Sequence, residues 1–227
     1  MTTSAKHREP SQFVKAFYRL AQRFVVLDIT KLLVKEADDG VNVSPKGSLE
    51  CRRLSPEELL AASKDPALGI EADMVARIQS GLDECVAAMD QDQVAGYLWV
   101  ARQGIEAEHN CGNHPLTGVA ASYEADTAFI YKVFSLASYR GRRIFPALAC
   151  YTAEMLKREE GITRLVSTTD WTNAAALAGF RRAGFNSIGN VYRFAFGKPI
   201  TYVPAQTKSL KISLGKDAVV PKRVSIA

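Results

Sequence analysis

Between residues 139 and 143 the chain reads Tyr139-Arg140-Gly141-Arg142-Arg143, three guanidinium groups around one glycine. Directly after it Ile144, Ala147, Leu148, Tyr151, Met155 and Leu156 recur at helical spacing, so the basic turn stands at a helix start. A helix start presents backbone N–H groups without partners and a partial positive charge, which suits a phosphate, and the arginines add formal charge there. The plainer reading is a solvated turn between two core elements. A second cluster, Asp170-Trp171-Thr172-Asn173, supplies capping residues for a helix from about Asn173 to Ala183, with Gly184 as its terminator. A third, His109-Asn110-Cys111-Gly112-Asn113-His114, offers two histidines and a cysteine without a fourth ligand, and no metal is expected on it.

These residues need a frame. Thr127 to Leu136 reads as a buried strand feeding the basic turn, Gly161 closes the helix that follows, and Arg164 to Thr168 is a further strand. A last strand pair runs from about Gly189 or Asn190 through Phe196. Upstream, Leu49 to Leu54 is a short strand. Ser55-Pro56-Glu57-Glu58 starts a helix to about Lys64, with serine as N-cap and proline at the first helical position. A second helical stretch covers about 70 to 82. Glu84 to Met89 and Val94 to Arg102 form a hairpin, and 103 to 124 form a long loop of the kind that carries substrate contacts. This order predicts an α/β sheet with helices on both faces.

At the N-terminal end Phe13, Ala16, Phe17, Leu20 and Phe24 mark an amphipathic helix, and the apolar run from Val25 to Val34 is a strand or a second helix. Residues 36 to 48 carry turn chemistry throughout. The expected organisation is therefore an N-terminal extension and linker over 1–46, a main domain over 47–204, and a basic tail over 205–227 outside the core.

The 227 residues and 47% hydrophobic content suffice for one substantial core, and the charged fraction of 23% is ordinary for a globular chain. A net charge of +5 tilts the potential toward anionic partners, but no arginine stripe interleaved with aromatics points to nucleic acid. Cys51, Cys85, Cys111 and Cys150 form no Cys-x-x-Cys pair, which fits a reducing compartment. No window approaches the ~18 apolar residues of a membrane helix, so a cytoplasmic protein without a membrane partner is expected.

Residues 140 to 145 resemble the coenzyme A pyrophosphate loop of the GNAT N-acetyltransferase superfamily, whose pattern is Gln or Arg, two residues, Gly, one residue, Gly or Ala. Arg140 fills the first position, while Arg143 stands at the first Gly and Phe145 at the Gly or Ala. Asn173, Ala176, Phe180, Arg182 and Gly184-Phe185 are similar to the family's Asn-x-x-Ser/Ala-x-x-x-Tyr-x-Lys-x-Gly-Phe helix. The resemblance implies a GNAT-like mixed, mostly antiparallel central sheet with helices on both faces. It implies that Val133, Phe134 and Ser135 bond the pantetheine through their backbone, and that Arg140, Gly141, Arg142, Arg143, Ile144 and Phe145 hold the pyrophosphate. Asn173 would contact the coenzyme near its pantetheine end, and Phe180 stands where many relatives have the tyrosine that assists the leaving thiolate.

The implied activity is acyl-coenzyme A-dependent N-acyl transfer by direct attack, most simply from acetyl-CoA to a primary amine of a small molecule, amino sugars being one subset. The expected partners are a coenzyme A thioester and that amine, with a homodimer left open. Removal of the amine proton needs a base. The candidates are Glu124 and Asp126 at the start of the cofactor strand, and His109 or His114 before it; Tyr123 and Tyr131 could supply hydroxyls. The departures at Arg143, Phe145 and Phe180 keep two alternatives: a catalytically impaired GNAT-like ligand-sensing or interaction module, and a GNAT protein using a longer acyl or another donor.

Overall fold

Alternation in the strands fixes the layers. In Asp83–Asp90, Val86 and Ala88 point to one side and Cys85, Ala87 and Met89 to the other, and all five are buried. A sheet apolar on both faces must be covered on both faces. The computed structural model of the protein describes residues 11–79, 81, 83–111, 114–196, 198–215 and 218–220. Its elements in chain order are α1 (Gln12–Ala21), β1 (Val26–Glu36), β2 (Glu50–Arg53), α2 (Pro56–Ala62), α3 (Ala72–Gln79), β3 (Asp83–Asp90), β4 (Gln93–Ala101) and β5 (Ala121–Ser122). There follow β6 (Thr127–Ser135), α4 (Ile144–Glu160), β7 (Arg164–Asp170), α5 (Ala174–Arg182), β8 (Asn186–Phe196), β9 (Lys198–Tyr202), α6 (Gln206–Ser209) and β10 (Ser213–Leu214).

Eight strands form one sheet in the order β2-β3-β4-β6-β7-β1-β8-β9. Every neighbouring pair is antiparallel except β6 and β7, which are parallel. One face is covered by α4 and α5, whose Leu148, Leu156 and Phe180 meet Val86, Leu98 and Leu165. The other is covered by α2 and α3 over β3 and β4, and by the 105–121 loop with Ile212 and Leu214 over β1, β6 and β7. Ser55 and Glu58 cap α2 reciprocally, as the Ser-Pro-Glu-Glu signature predicts.

Two of the expected boundaries do not hold. Residues 26–36 are not an appendage: β1 lies between β7 and β8 with Leu32 fully buried, because its continuous apolar run suits a strand covered on both faces. The turn-rich stretch after it is a strap along α4, not a linker between units. Asp38 pairs with Lys157 near the helix end, Val43 packs on the core, and the Lys46 N–H donates to the Arg142 carbonyl at the helix start. The 205–227 segment is likewise not wholly outside the core, since β10 pairs with β5 and Thr207, Ile212 and Leu214 are buried; 216–217 and 221–227 lie outside the described residues.

Beside the strap a buried Lys35 donates to both carboxylate oxygens of Asp39 at 2.6 Å. Gly184, at φ 90° just after α5, lies so close that a Cβ there would run into the Asp39 carboxylate. Gly184→Ala therefore meets both a left-handed backbone and a displaced buried ion pair. A destabilisation of about 2–4 kcal/mol is expected. In a thermal melt that lowers the midpoint by roughly 4–16 °C; a shift below about 2 °C would mean that Asp39 swings aside at no cost.

Candidate active site

The site begins where two parallel strands part. β6 and β7 pair from Thr127↔Arg164 to Ile130↔Ser167 and no further, while the other edge of β6 stays paired to β4 up to Gly96↔Ser135. Val133, Phe134 and Ser135 thus run beside β7 without bonding to it. The β6–β4 register slips between Ile130 and Lys132, leaving Tyr131 as the extra residue of a bulge. The bulge sends Tyr131 and Lys132 to the same face: Tyr131 packs on the α2–α3 cluster, and Lys132 Nζ reaches Met74 Sδ on α3 at 3.0 Å. Ser167 Oγ donates to the Ile130 carbonyl at 2.8 Å and closes the fork at its inner end.

Opening from the fork on the α4–α5 face is a cleft of about 530 Å³. Val133 and Ser135 line it from β6, and Ser167, Thr168 and Thr169 from β7. Ile144 to Pro146 close it at the start of α4, Asn173, Ala176 and Gly179 on α5, and Arg140, Gly141 and Arg143 at the turn. Gly141 has φ 82°, and Arg143, the N-cap of α4, has φ 61° and ψ 28°. Left-handed geometry costs a side-chain-bearing residue roughly 1–2 kcal/mol, which is the physical reason a loop of this shape favours glycine at that position. No side chain caps α4, so the Ile144 and Phe145 amides keep no partner among the described residues.

Of the residues expected to hold a cofactor, Val133, Ser135, Arg140, Gly141, Arg143, Ile144, Phe145, Asn173 and Phe180 all line this cleft. Phe134 and Arg142 do not. The Phe134 side chain points to the other face and stacks on Tyr97 at 5.3 Å, which leaves only its backbone on the fork. The Arg142 guanidinium lies over the Tyr139 ring at 4.9 Å, toward the strap at Gly47. Phe145 is accommodated by a large-for-small exchange: its ring fills the space over Gly179, where an added Cβ would come within 2.8 Å. It also meets Phe180 edge-on at 4.6 Å, and Phe180 meets Phe185 at 5.0 Å. Phe180 is 4% exposed and packs as core. Asn173 caps α5, accepting from the Ala176 N–H at 3.0 Å, and its Nδ2 keeps no partner among the described residues.

Glu124 and Asp126 are not brought to the cleft. Glu124 pairs on the surface with Lys211 at 2.8 Å, and Asp126 accepts from Thr127 Oγ1 at 2.9 Å and Thr163 Oγ1 at 3.3 Å. Both stand before β6, whose start is ~20 Å along the strand from Val133. Proximity in sequence to a strand is not proximity to its far end. His114 Nδ1 accepts from the Leu116 N–H in a surface turn, whereas the His109 ring lies 6.1 Å from that of Tyr131.

Across the sheet from the cleft, the fork carries a polar cluster that the sequence reading missed. Tyr131 donates from its hydroxyl to Asp83 Oδ2 at 3.1 Å, and its ring lies 5.4 Å below the Arg77 guanidinium. Arg77 bonds Asp83 at 2.5 Å and Glu106 at 3.0 Å. Burial pushes the Asp83 carboxyl up to about 6 in spite of the adjacent Arg77. Desolvation pushes the Tyr131 phenol up as well, so it stays protonated at neutral pH. One cue was present: an aspartate opening a strand that is otherwise wholly apolar up to Met89, apart from Glu84, has to find a partner. The polar run Ser167-Thr168-Thr169 in a central strand was a similar cue for the cleft wall.

No family model matches this chain, and no curated protein does. Solved structures do. A GCN5-related N-acetyltransferase from Kribbella flavida superposes with a TM-score of 0.50 at 14% identity, over 80% of this chain and 64% of that one. A tandem GNAT protein from the clavulanic acid biosynthesis pathway gives 0.50 at 14% identity, over 89% and 63%. A GNAT-family acetyltransferase structure from Novosphingobium aromaticivorans gives 0.47 at 16% identity, over 84% and 65%. The chain thus spans less than two thirds of the length of these three proteins. With a mixed, mostly antiparallel sheet forked at its one parallel pair, and with the two neighbours at a TM-score of 0.50, the protein has the fold of the GNAT superfamily.

Proposed function

We propose that the protein transfers an acyl group from a coenzyme A thioester to an amine. The observation that carries this reading is the fork: a stretch of β6 whose β7-side edge has no strand partner leads straight into an uncapped helix start flanked by Arg140 and Arg143. That is an amide-bonding edge followed by an anion site, the order in which pantetheine and pyrophosphate occur in the coenzyme. The cleft volume of about 530 Å³ lies in the ordinary range for a small-molecule site. The residues fit, with Phe145 turned onto Gly179 instead of over the loop.

When bound, the thioester supplies an activated acyl carbonyl, and its thiolate is a tolerable leaving group without an acid at Phe180. The chain's own contribution is to hold that carbonyl at the fork and to take a proton from the amine. Tyr131 and Asp83 suit the second task. The amine proton passes to the Tyr131 oxygen while the Tyr131 proton passes to Asp83 Oδ2, so the phenol ends neutral and the carboxylate ends protonated. In the finer reading the donor is acetyl-CoA and the acceptor a primary amine on a small molecule, approaching from the α2–α3 face past the 103–124 loop. Unlike an impaired interaction module, a functioning enzyme turns over at least one amine in a panel with acetyl-CoA.

Coenzyme A at ~100 times its dissociation constant should stabilise the native protein by ~2.7 kcal/mol and raise its melting midpoint by about 5–10 °C. Arg140→Glu with Arg143→Glu should remove most of that shift by placing like charge at the helix start, whereas Arg142→Glu should leave most of it. A midpoint unmoved by millimolar coenzyme A, together with a flat calorimetric titration, would sink the assignment.

Because Asp83 must be ionised to accept the proton, kcat/KM expressed per free-base amine should rise about tenfold per pH unit up to about 6 and level off above it. Tyr131→Phe should lower kcat by ~10²–10⁴-fold while leaving the coenzyme A melting shift intact. If Asp83→Asn remains folded and keeps the acid limb, the proton leaves by another route.

A further inference from the structure

The helix α1 and the turn after it carry an apolar stripe that the rest of the described chain leaves uncovered. Phe13, Phe17, Leu20 and Phe24 follow one another at helical spacing and are 80%, 64%, 51% and 80% exposed. This is not a helix that has failed to pack. Tyr18 anchors it: its ring meets Trp171 edge-on at 5.2 Å, its oxygen accepts from the Ile29 N–H at 2.9 Å, and its hydroxyl donates to Asp170 Oδ2 at 3.4 Å. At 100° per residue Tyr18 points roughly 100° away from the Phe13–Phe17 line, so the anchoring contact itself turns the phenylalanines away from the body.

The charges beside the stripe are of one sign. Arg19 and Arg23 stand on the side of the stripe away from Tyr18, Lys15 stands on the face turned away from the rings, and no acidic residue occurs between Ser11 and Leu27. Among the described residues the carboxylates around the Tyr18 anchor are engaged: Asp28 is buried against Arg193, and Asp170 accepts from Tyr18 and from the Thr172 amide and hydroxyl. Three phenylalanines, a leucine and two cations within twelve residues make a surface that is apolar in the middle and basic at one side. A bilayer interface of anionic lipid complements both halves at once, taking the rings into the headgroup–acyl boundary and the cations to the phosphates. A second copy pairing α1 with α1 across a twofold axis would bury the rings but bring like charges together.

We propose that α1 and the turn after it dock this protein on the surface of an anionic lipid bilayer through Phe13, Phe17, Leu20 and Phe24, with Arg19 and Arg23 on the lipid phosphates. No described helix is long and apolar enough to cross a membrane, and α1 lies on the surface without spanning. The expectation of no membrane partner rested on spanning segments alone. Docking also has a direction: Trp171 and Asp170, which hold α1, are within three residues of Asn173 in the cleft wall, so the β7–α5 end of the cleft sits next to the bilayer. The proposal does not rest on the acyl-transfer reading.

The test is co-sedimentation of the full chain with phosphatidylcholine vesicles containing one third phosphatidylglycerol, against vesicles of phosphatidylcholine alone. Binding to the anionic vesicles is expected, with at least about a tenfold preference over the neutral ones. Each of Phe13→Ser, Phe17→Ser and Phe24→Ser should weaken it by roughly tenfold, and Arg19→Ala or Arg23→Ala by about fivefold. These side chains are exposed, so the variants' melts should superimpose on that of the parent; should a triple variant unfold, Phe13→Ser alone still decides. A parent chain that stays in the supernatant with both vesicle types overturns the proposal, as does vesicle binding indifferent to the phenylalanine changes. So does a lipid-free dimer, seen by light scattering, that the same changes convert to monomer, which would assign the stripe to a second copy.

Discussion

An open strand edge in the middle of an eight-stranded sheet is the constraint on which this structure turns. Backbone N–H and C=O groups removed from water must be paired, and a central strand ordinarily pairs on both sides. Here β6 has its β4 partner throughout but loses β7 after Ile130. Several independent contacts hold the gap open. The bulge at Tyr131 redirects the strand, Ser167 uses its hydroxyl to satisfy the last carbonyl before the gap, and α4 and α5 wedge Ile144 and Phe180 behind it. The strap over 37–48 holds α4 down along its length, from Lys157 to the Arg142 carbonyl. Unpaired backbone is thus kept facing a cleft, where a ligand or water can reach it.

The turn after β6 shows how a departure from a loop's preferred residues is compensated nearby. Arg143 takes a conformation that glycine would take without strain, and what it offers in return is a guanidinium on the cleft wall. Phe145 is larger than the small residue the resemblance leads one to expect, and its ring is accommodated because Gly179 on the facing helix has no side chain to meet it. Phe145, Phe180 and Phe185 then form an edge-to-face series that ties the start of α4 to the end of α5, a stabilising arrangement of the order of 0.5–1.5 kcal/mol per pair. A tyrosine hydroxyl at 180 would be poorly placed in that series, because the ring is held on two sides and scarcely exposed.

Legibility in the sequence followed the range of the interactions. Local signals were read well: the Ser55 capping box, the hairpin of β3 and β4, the glycine ends of α4 and α5, and the basic turn at an uncapped helix start. What failed was long-range. Nothing between Val25 and Glu36 says that the strand will pair with residues 164–170 and 186–195, and the turn chemistry after it looks like a boundary when it is a strap. The assignment of Glu124 and Asp126 failed for a related reason, since position along a strand was read as position at its functional end. Tyr131 was in view as one of two tyrosines that could supply a hydroxyl, without its partner Asp83. Its role depends on the bulge, which is a mismatch of two strands and so belongs to neither sequence alone.

The long loop over 103–124 might have been expected to be the loosest part of the site, yet a buried charge fixes it. Arg193 on β8 donates from Nη1 to the carbonyls of Asn110 and Thr117, both at 3.0 Å, and from Nη2 to Thr30 Oγ1 at 2.6 Å, and it pairs with Asp28 at 3.2 Å. Burial acts against both charges, lowering the guanidinium and raising the carboxyl of Asp28 despite their mutual attraction. An arrangement so costly to desolvate is kept in one geometry, because any displacement of the loop strands a guanidinium whose five donors have no water to turn to. Asn110, held at its backbone by Arg193, in turn accepts from Thr168 Oγ1 at 2.9 Å, and Thr168 lines the cleft. The loop and the cleft wall are therefore positioned by the same cation, on a strand three places across the sheet from the β6 strand that leads into the basic turn.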